Sequence, residues 1–379
     1  MRAKDENTLR IELKRTVDPS YDLMLNIDFP DVAADLKKRS ETEKKFKGRY
    51  AIITDFNVGP LYAAELRSEL SKCGIDAKVF TFGAGEEFKR WETAGMLLNQ
   101  MAAAGYGKDT IIIALGGGVV GDTAGFSASV MRRGVAYAGV PTSTLAMADS
   151  AIGGKTAVDL DAGKNLAGRI EQPSAVYFIR RTLETLDPRH YRSGIGEVVK
   201  HGVIRDDELF CYLEKNAHLV LNQDADALNY IARKNCWIKG QVVEKDPDEE
   251  LGLRKILNFG HTPGHAIETL SGYQLTHGES VAIGMMVSGR VAVMMGTGLT
   301  YDDVDRIGAA LQQYGLPITV PRDMPDEDIV KKMFVDKKVR GGKLMFCLPS
   351  GIGTMHPFGE RYVTPVSEKI VLAALGNSR

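Results

Sequence analysis

Thr110-Ile111-Ile112-Ile113-Ala114-Leu115-Gly116-Gly117-Gly118-Val119-Val120-Gly121-Asp122 decides the fold class. Its first six residues form a near-continuous apolar run, as in a strand covered on both faces. The glycines that follow let the backbone come close to a ligand. The start of a helix after them offers free N–H groups and a positive dipole end, suited to a diphosphate. A tight turn needing positive φ explains the same glycines equally well. The pattern is also not the G-x-G-x-x-G fingerprint, which follows a first strand.

Outward from this segment, β-rich runs alternate with helical patterns. Residues 51–55 and 77–82 read as strands, 61–72 and 88–104 as helices, and 135–140 and 176–179 as further strands. Such alternation predicts a parallel α/β sheet. After about Leu183 strands become sparse and amphipathic patterns dominate, at 206–220, 226–243, 265–270 and 281–295. The chain therefore divides near residue 180, within 173–188, into an α/β domain (1–180) and a mainly α-helical domain (181–379). Residues 343–348 and 354–357 read as a small hairpin.

A length of 379 residues favours two domains. With 44% hydrophobic and 26% charged residues the composition is that of a soluble globular protein. A net charge of −1 argues against a nucleic-acid surface, so any anion site must be a local cluster of Lys and Arg. No apolar run reaches membrane-spanning length. The charged N-terminal stretch has no apolar core of a signal peptide. Cys73, Cys211, Cys236 and Cys347 are too dispersed for a disulfide framework or a CxxC site, which leads us to expect a reducing, cytoplasmic setting.

Three of the seven histidines lie in Asn258-Phe259-Gly260-His261-Thr262-Pro263-Gly264-His265 and His277-Gly278-Glu279. Imidazole is the commonest metal ligand, and Glu197, in Glu197-Val198-Val199-Lys200, is an available carboxylate. Two imidazoles and a carboxylate leave coordination positions open for substrate. His261 and His265 are four apart, so they share a helix face. Pro263 fits best at the first position of a helix. Asp149-Ser150-Ala151-Ile152-Gly153-Gly154-Lys155 and Gly163-Lys164-Asn165 form a second glycine-rich block, either an anion site or a solvated loop. Arg132 and Arg133 add charge. Glu86 and Lys89, at helical spacing, fit a surface ion pair equally well.

Together these segments resemble the 3-dehydroquinate synthase family of sugar-phosphate cyclases. The resemblance rests on residues 116–126, 132–135, 140–159, 163–165, 196–204, 253–268, 277–285 and 335–342. It implies a Rossmann-like N-terminal domain binding NAD, a helical C-terminal domain carrying the metal, and a site between them: a dehydroquinate synthase-like fold. It further implies that Glu197, His261 and His277 bind Zn2+ or Co2+, with His265 a nearby polar partner. Lys155, Lys164, Asn165, Lys200, Lys239, Arg254, Asn258 and Lys337 would surround the substrate, with Arg133 and Asp149 also in the site. Asp55, Glu86, Lys89, Gly117, Gly118, Asp122, Thr142 and Ser143 would contact NAD.

The implied reaction converts 3-deoxy-D-arabino-heptulosonate 7-phosphate to 3-dehydroquinate and phosphate, in the shikimate pathway of aromatic amino acid biosynthesis. Transient oxidation by NAD acidifies a C–H, phosphate leaves, the hydride returns, and an aldol closure forms the carbocycle. The enzyme would thus be a lyase, and by resemblance a homodimer. Arg254 and Lys239 suit a substrate carboxylate. Relatives that make 2-deoxy-scyllo-inosose from glucose 6-phosphate have no carboxylate to hold. An aminodehydroquinate synthase-like cyclase, a metal-dependent polyol dehydrogenase and a binding module are the competing readings. Residues 168–173, Ile179 and Pro263 depart from the family pattern and bear on substrate identity.

Overall fold

The computed structural model describes residues 2–5, 8–10, 18–335, 343–359 and 361–379. Strands β1 (Arg2–Asp5) and β2 (Thr8–Arg10) form a separate antiparallel pair. The main sheet contains β3 (Asp22–Leu25), β4 (Arg49–Asp55), β5 (Ala77–Phe82), β6 (Thr110–Gly116), β7 (Ala136–Pro141) and β10 (Ala175–Phe178). Its order is β3-β10-β7-β6-β4-β5, and every pairing is parallel. Helices α1 (Phe29–Thr42), α2 (Ala64–Lys72), α3 (Trp91–Ala103) and α4 (Gly118–Val130) connect these strands.

Side chains in a strand alternate between faces. Ile111 and Ile113 of β6 therefore pack with Phe29, Leu36 and Leu66 of α1 and α2, while Ile112 packs with Leu97, Val120 and Ala124 of α3 and α4. Two-sided burial is why this strand reads as an unbroken apolar run. Between β7 and β10 lies an antiparallel hairpin, β8 (Lys155–Leu160) and β9 (Gly163–Ile170), folded against α4.

The rest of the chain is mainly helical: α5 (Pro188–Arg205), α6 (Asp207–Lys215), α7 (Ala217–Leu221), α8 (Ala225–Lys245), α9 (His261–Leu270), α10 (His277–Met294), α11 (Tyr301–Gln313), α12 (Asp326–Val335) and α13 (Glu368–Gly376). They share one core. α10 lies at its centre, with Val281, Met285, Val287 and Val291 all fully buried.

Several elements differ from the sequence expectation. The pattern at 206–220 is two helices, broken at Asn216. The predicted late hairpin instead pairs β11 (Leu344–Phe346) with β14 (Thr364–Val366), and β12 (Pro349–Gly351) with β13 (Thr354–Met355). Helix α9 begins at His261, so Pro263 is its third residue. Proline is harmless there because first-turn N–H groups have no partner within the helix. The edge strand β3 and helices α1, α5 and α11 were not anticipated.

Candidate active site

In a doubly wound sheet, ligands bind outside the carboxyl ends of strands where the strand order reverses. Here that point lies between β4 and β6: the chain leaves β4 for β5 on one side and returns to β6 on the other. Asp55 ends β4, Gly117 and Gly118 carry β6 into α4, and Thr142 and Ser143 follow β7. The glycine turn thus follows the strand across the reversal, which is why it does not trail the first strand. Asp55 Oδ1 accepts from the Asn57 and Val58 amides at 3.0 and 2.7 Å, which fixes the β4 loop. A Cβ on Gly118 would sit 3.1 Å from Ser150 Oγ, so the turn passes tightly beside the segment leading to Asp149.

Glu86 and Lys89 do not form a simple surface pair. Lys89 is only 5% exposed. Its Nζ is 2.6 Å from Asp122 Oδ2 and donates to Asn165 Oδ1 at 2.6 Å, with Glu86 at 4.0 Å. Burial disfavours the ammonium, but Asp122 and Glu86 outweigh it and raise its pKa.

On the opposite side, close helix packing assembles the histidines. A Cβ on Gly278 would lie 1.9 Å from the Ser193 carbonyl, so glycine lets the start of α10 press onto α5, which carries Glu197 and Lys200. A Cβ on Gly284 would lie 1.9 Å from the Gly260 carbonyl, which brings α10 against the start of α9. Thr276 and Glu279 form a capping box that fixes His277 as the first residue of α10.

The ring nitrogens of His261, His265 and His277 fall within 4.8 Å of one another. Glu197 Oε1 lies 3.5 Å from His261 Nε2 and 3.3 Å from His277 Nε2. Glu197 is fully buried and pairs with Lys200. Neither Glu197 oxygen accepts a well-aligned hydrogen bond among the described residues. A buried carboxylate that faces two converging imidazole nitrogens without an aligned hydrogen bond offers a donor set that fits a divalent ion. His261 Nδ1 faces the Phe259 carbonyl at 3.1 Å and His277 Nδ1 faces Glu268 Oε2 at 3.2 Å. Each Nε2 is thereby left to act as a ligand. Burial and Lys200 hold His261 well below the usual imidazole range. Burial would lower His277 as well, but Glu197 and Glu268 push it up to about 10, so a cation binding there displaces the Nε2 proton.

Three further lysines are held by carboxylates. Buried Lys239 pairs with Asp149 at 2.7 Å. Burial lowers the Lys239 pKa despite that partner. Lys155, half exposed at the start of β8, pairs with Glu249 at 2.5 Å. Lys164 lies between Glu86 at 3.4 Å and Glu268 at 3.2 Å, 4.1 Å over the Tyr273 ring. Behind them, Asn235 donates to the Ala148 carbonyl at 2.8 Å and faces His201 Nδ1 at 2.5 Å, which ties the Asp149 segment to α5.

The sequence model for the N-terminal part of 3-dehydroquinate synthases matches residues 79–193, and that for the C-terminal part matches residues 194–339. The chain belongs to the 3-dehydroquinate synthase family. A 3-dehydroquinate synthase of Thermoanaerobacter sp. (strain X514) is 42% identical over 97% of this chain and 99% of its own length. One from Acetivibrio thermocellus is 40% identical over 88% and 90%. Among solved structures, 2-epi-5-epi-valiolone synthase from Streptomyces hygroscopicus, with NAD+ and Zn2+ bound, aligns at TM-score 0.84 and 28% identity over 97% and 99% of the two chains. A 2-deoxy-scyllo-inosose synthase complexed with carbaglucose-6-phosphate, NAD+ and Co2+ aligns at TM-score 0.80 and 29% identity over 91% and 95%. A probable glycerol dehydrogenase from Sinorhizobium meliloti shares the fold alone, at TM-score 0.61 and 15% identity.

In this member of the 3-dehydroquinate synthase family, two expected placements change. Arg133 precedes β7, at the far end of the 13-residue helix α4 from Gly117 and Gly118, roughly 20 Å along the helix axis. Arg254 is not an open fork. It is 2% exposed, and its Nη1 and Nη2 donate to the Pro247 and Gly153 carbonyls at 2.6 and 2.7 Å. Its buried Nε–H remains without a partner among the described residues. Asn258 ends the 3-10 turn Leu253–Asn258 that leads into α9. Lys337 lies outside the described residues.

The supposed loop around Lys155 and Lys164 is the β8–β9 hairpin, with Arg169 and Glu171 paired at 3.3 Å near its end. Ile179, a departure from the family pattern, is fully buried in the sheet core. Sequence reasoning did not single out Glu268, Glu249, His201 or Asn235. Glu268 was the most accessible of these, because it stands at i+7 from His261 and so on the same helix face.

Proposed function

We propose that the chain is a 3-dehydroquinate synthase, converting 3-deoxy-D-arabino-heptulosonate 7-phosphate to 3-dehydroquinate and phosphate. The observation that carries this reading is the convergence of Glu197, His261 and His277 in a chain that matches curated 3-dehydroquinate synthases over nearly its whole length. We assign residues 1–180 to the cofactor-binding domain and 181–379 to the metal- and substrate-binding domain. Asp55, Glu86, Lys89, Gly117, Gly118, Asp122, Thr142 and Ser143 line the cofactor crevice.

Glu197, His261 and His277 would hold zinc or cobalt, which supplies Lewis acidity toward a secondary alcohol, while NAD supplies reversible hydride acceptance. The chain's own residues do the rest. Lys155 and Lys164 offer mobile ammonium groups for a phosphate. Lys200, paired with Glu197, would contact the substrate oxygens. Lys239 and the Arg254 Nε–H supply donors for a carboxylate. His265 and Asn258 would contact the substrate ring.

Homodimerisation and a cytoplasmic setting belong to the same proposal. Arg133, at the far end of α4 from the glycine turn, would serve the site of a second copy. No helix among the described residues is long and apolar enough to cross a membrane. The structural likeness to secondary-metabolism cyclases favours a sister activity as the second reading. Phosphate release from the heptulosonate phosphate and from glucose 6-phosphate, with NAD and Co2+ present and the product identified, separates the two. We expect release from the first substrate, with 3-dehydroquinate formed. Release from glucose 6-phosphate alone would refute the assignment.

A further inference from the structure

Glu268 is a buried carboxylate whose two oxygens serve different parts of the site. Its Oε2 lies 3.2 Å from His277 Nδ1, and its Oε1 accepts from Lys164 Nζ at 3.2 Å. Its side chain is 12% exposed. On α9 it follows His261 and His265 at i+7 and i+3, one turn along the face that carries them. The second ring nitrogen of His277 points the other way, 3.3 Å from Glu197 Oε1. An imidazole that donates Nδ1–H to a carboxylate keeps its lone pair on Nε2, the atom directed at the proposed metal position. A bridging carboxylate also raises the ring's basicity.

Lys164 comes from the β8–β9 hairpin and is itself held by Glu86 at 3.4 Å. The contacts therefore run from the cofactor side, through Glu86 and Lys164, to Glu268 and His277. A simple salt bridge to Lys164 would not need an imidazole on the other oxygen.

We propose that Glu268 is a positioning residue for the metal centre: it fixes the Nε2-ligating tautomer and orientation of His277, and its other oxygen ties that imidazole to Lys164 across the site. This deepens the functional reading above and rests on its metal assignment.

The test is Co2+ titration of the metal-stripped, full-length protein, followed by visible d–d absorption, with thermal melts of the metal-free variants alongside. E268Q keeps the size but loses the charge, and E268D keeps the charge but falls short of His277. Both are expected to weaken Co2+ binding by about 10–100-fold. E86Q, which touches Lys164 but not His277, should stay within about threefold of the unaltered protein, well short of the loss expected at a residue that orients a ligand. If one Glu268 variant fails to fold, the other decides. Co2+ affinity within threefold of the unaltered protein in the folded Glu268 variants overturns the proposal. So does an equal loss in E86Q, which would route the effect through Lys164 instead of His277. Failure of the unaltered protein to take up Co2+ would overturn the metal reading itself, and this inference with it.

Discussion

Lys89 is the residue where sequence and structure part most clearly. Three-residue spacing from Glu86 is the same for a solvated pair and a buried one, so local sequence does not separate them. Burial comes from the β8–β9 hairpin folding over α4, a non-local event that brings Asn165 onto the Lys89 ammonium. The residues that the structure brings together as the sequence led us to expect are those set in long motifs, such as Glu197, His261 and His277. Their chemistry limits what can stand there. Lys89→Met would leave Asp122 buried without its cation, and stranding one partner of a buried pair costs about 3–5 kcal/mol. We expect a lower urea midpoint and weaker NADH binding by fluorescence. An unchanged midpoint would mean that the pair contributes nothing. His261→Ala should abolish turnover while circular dichroism stays near that of the unaltered protein. Retained turnover would remove His261 from the metal set.

At the scale of elements, the apolar periodicity of α9 and α10 was legible, but their first turns were not. The apolar pattern begins at 265 and 281, and Pro263 read as a first helical position, whereas the helices begin at His261 and His277. Those first turns are rich in His, Gly, Thr and Pro because they carry the site, and chemistry there displaces the apolar residues that announce a helix. The hairpin was misread for a related reason. Glycines at 153, 154, 163 and 168 suggest a loop, although Gly168 is needed because a Cβ would meet the Thr156 carbonyl at 2.5 Å. The contact between α9 and α10 is equally unforgiving. Gly284→Ala forces a methyl onto the Gly260 carbonyl, and overpacking of this kind costs about 1–3 kcal/mol or more. Thermal midpoint and Co2+ affinity should fall together, since His261 follows Gly260 directly. Gly240→Ala in α8, where nothing lies within 4 Å, should instead be neutral or stabilising by up to about 1 kcal/mol. Similar melts for the two variants would contradict the packing argument.

At the scale of the whole molecule, the parallel sheet and the helical half were both readable, since sheet period and helix period differ along the chain. Their meeting surface was not, because it is built from single polar contacts. A chelator should abolish activity and leave far-UV circular dichroism nearly unchanged, since the helices rest on their own apolar core. Restoring metal at about 100-fold above its dissociation constant should return about 2.7 kcal/mol of stability, read as a higher melting point. A chelated protein that lost its secondary structure would show the ion to be a folding element instead. The bridge from Lys164 to Glu268 spans a sequence separation of 104 residues, and it bears on how the chain is made. Synthesis runs from the N-terminus, so all six sheet strands have emerged when Phe178 does, well before any metal-facing histidine exists. At that point Lys155 and Lys164 exist while their carboxylate partners Glu249 and Glu268 are still unmade, and Lys164 has only Glu86 to pair with. The metal-facing cluster can form only after α9 and α10 have been made and packed on α5.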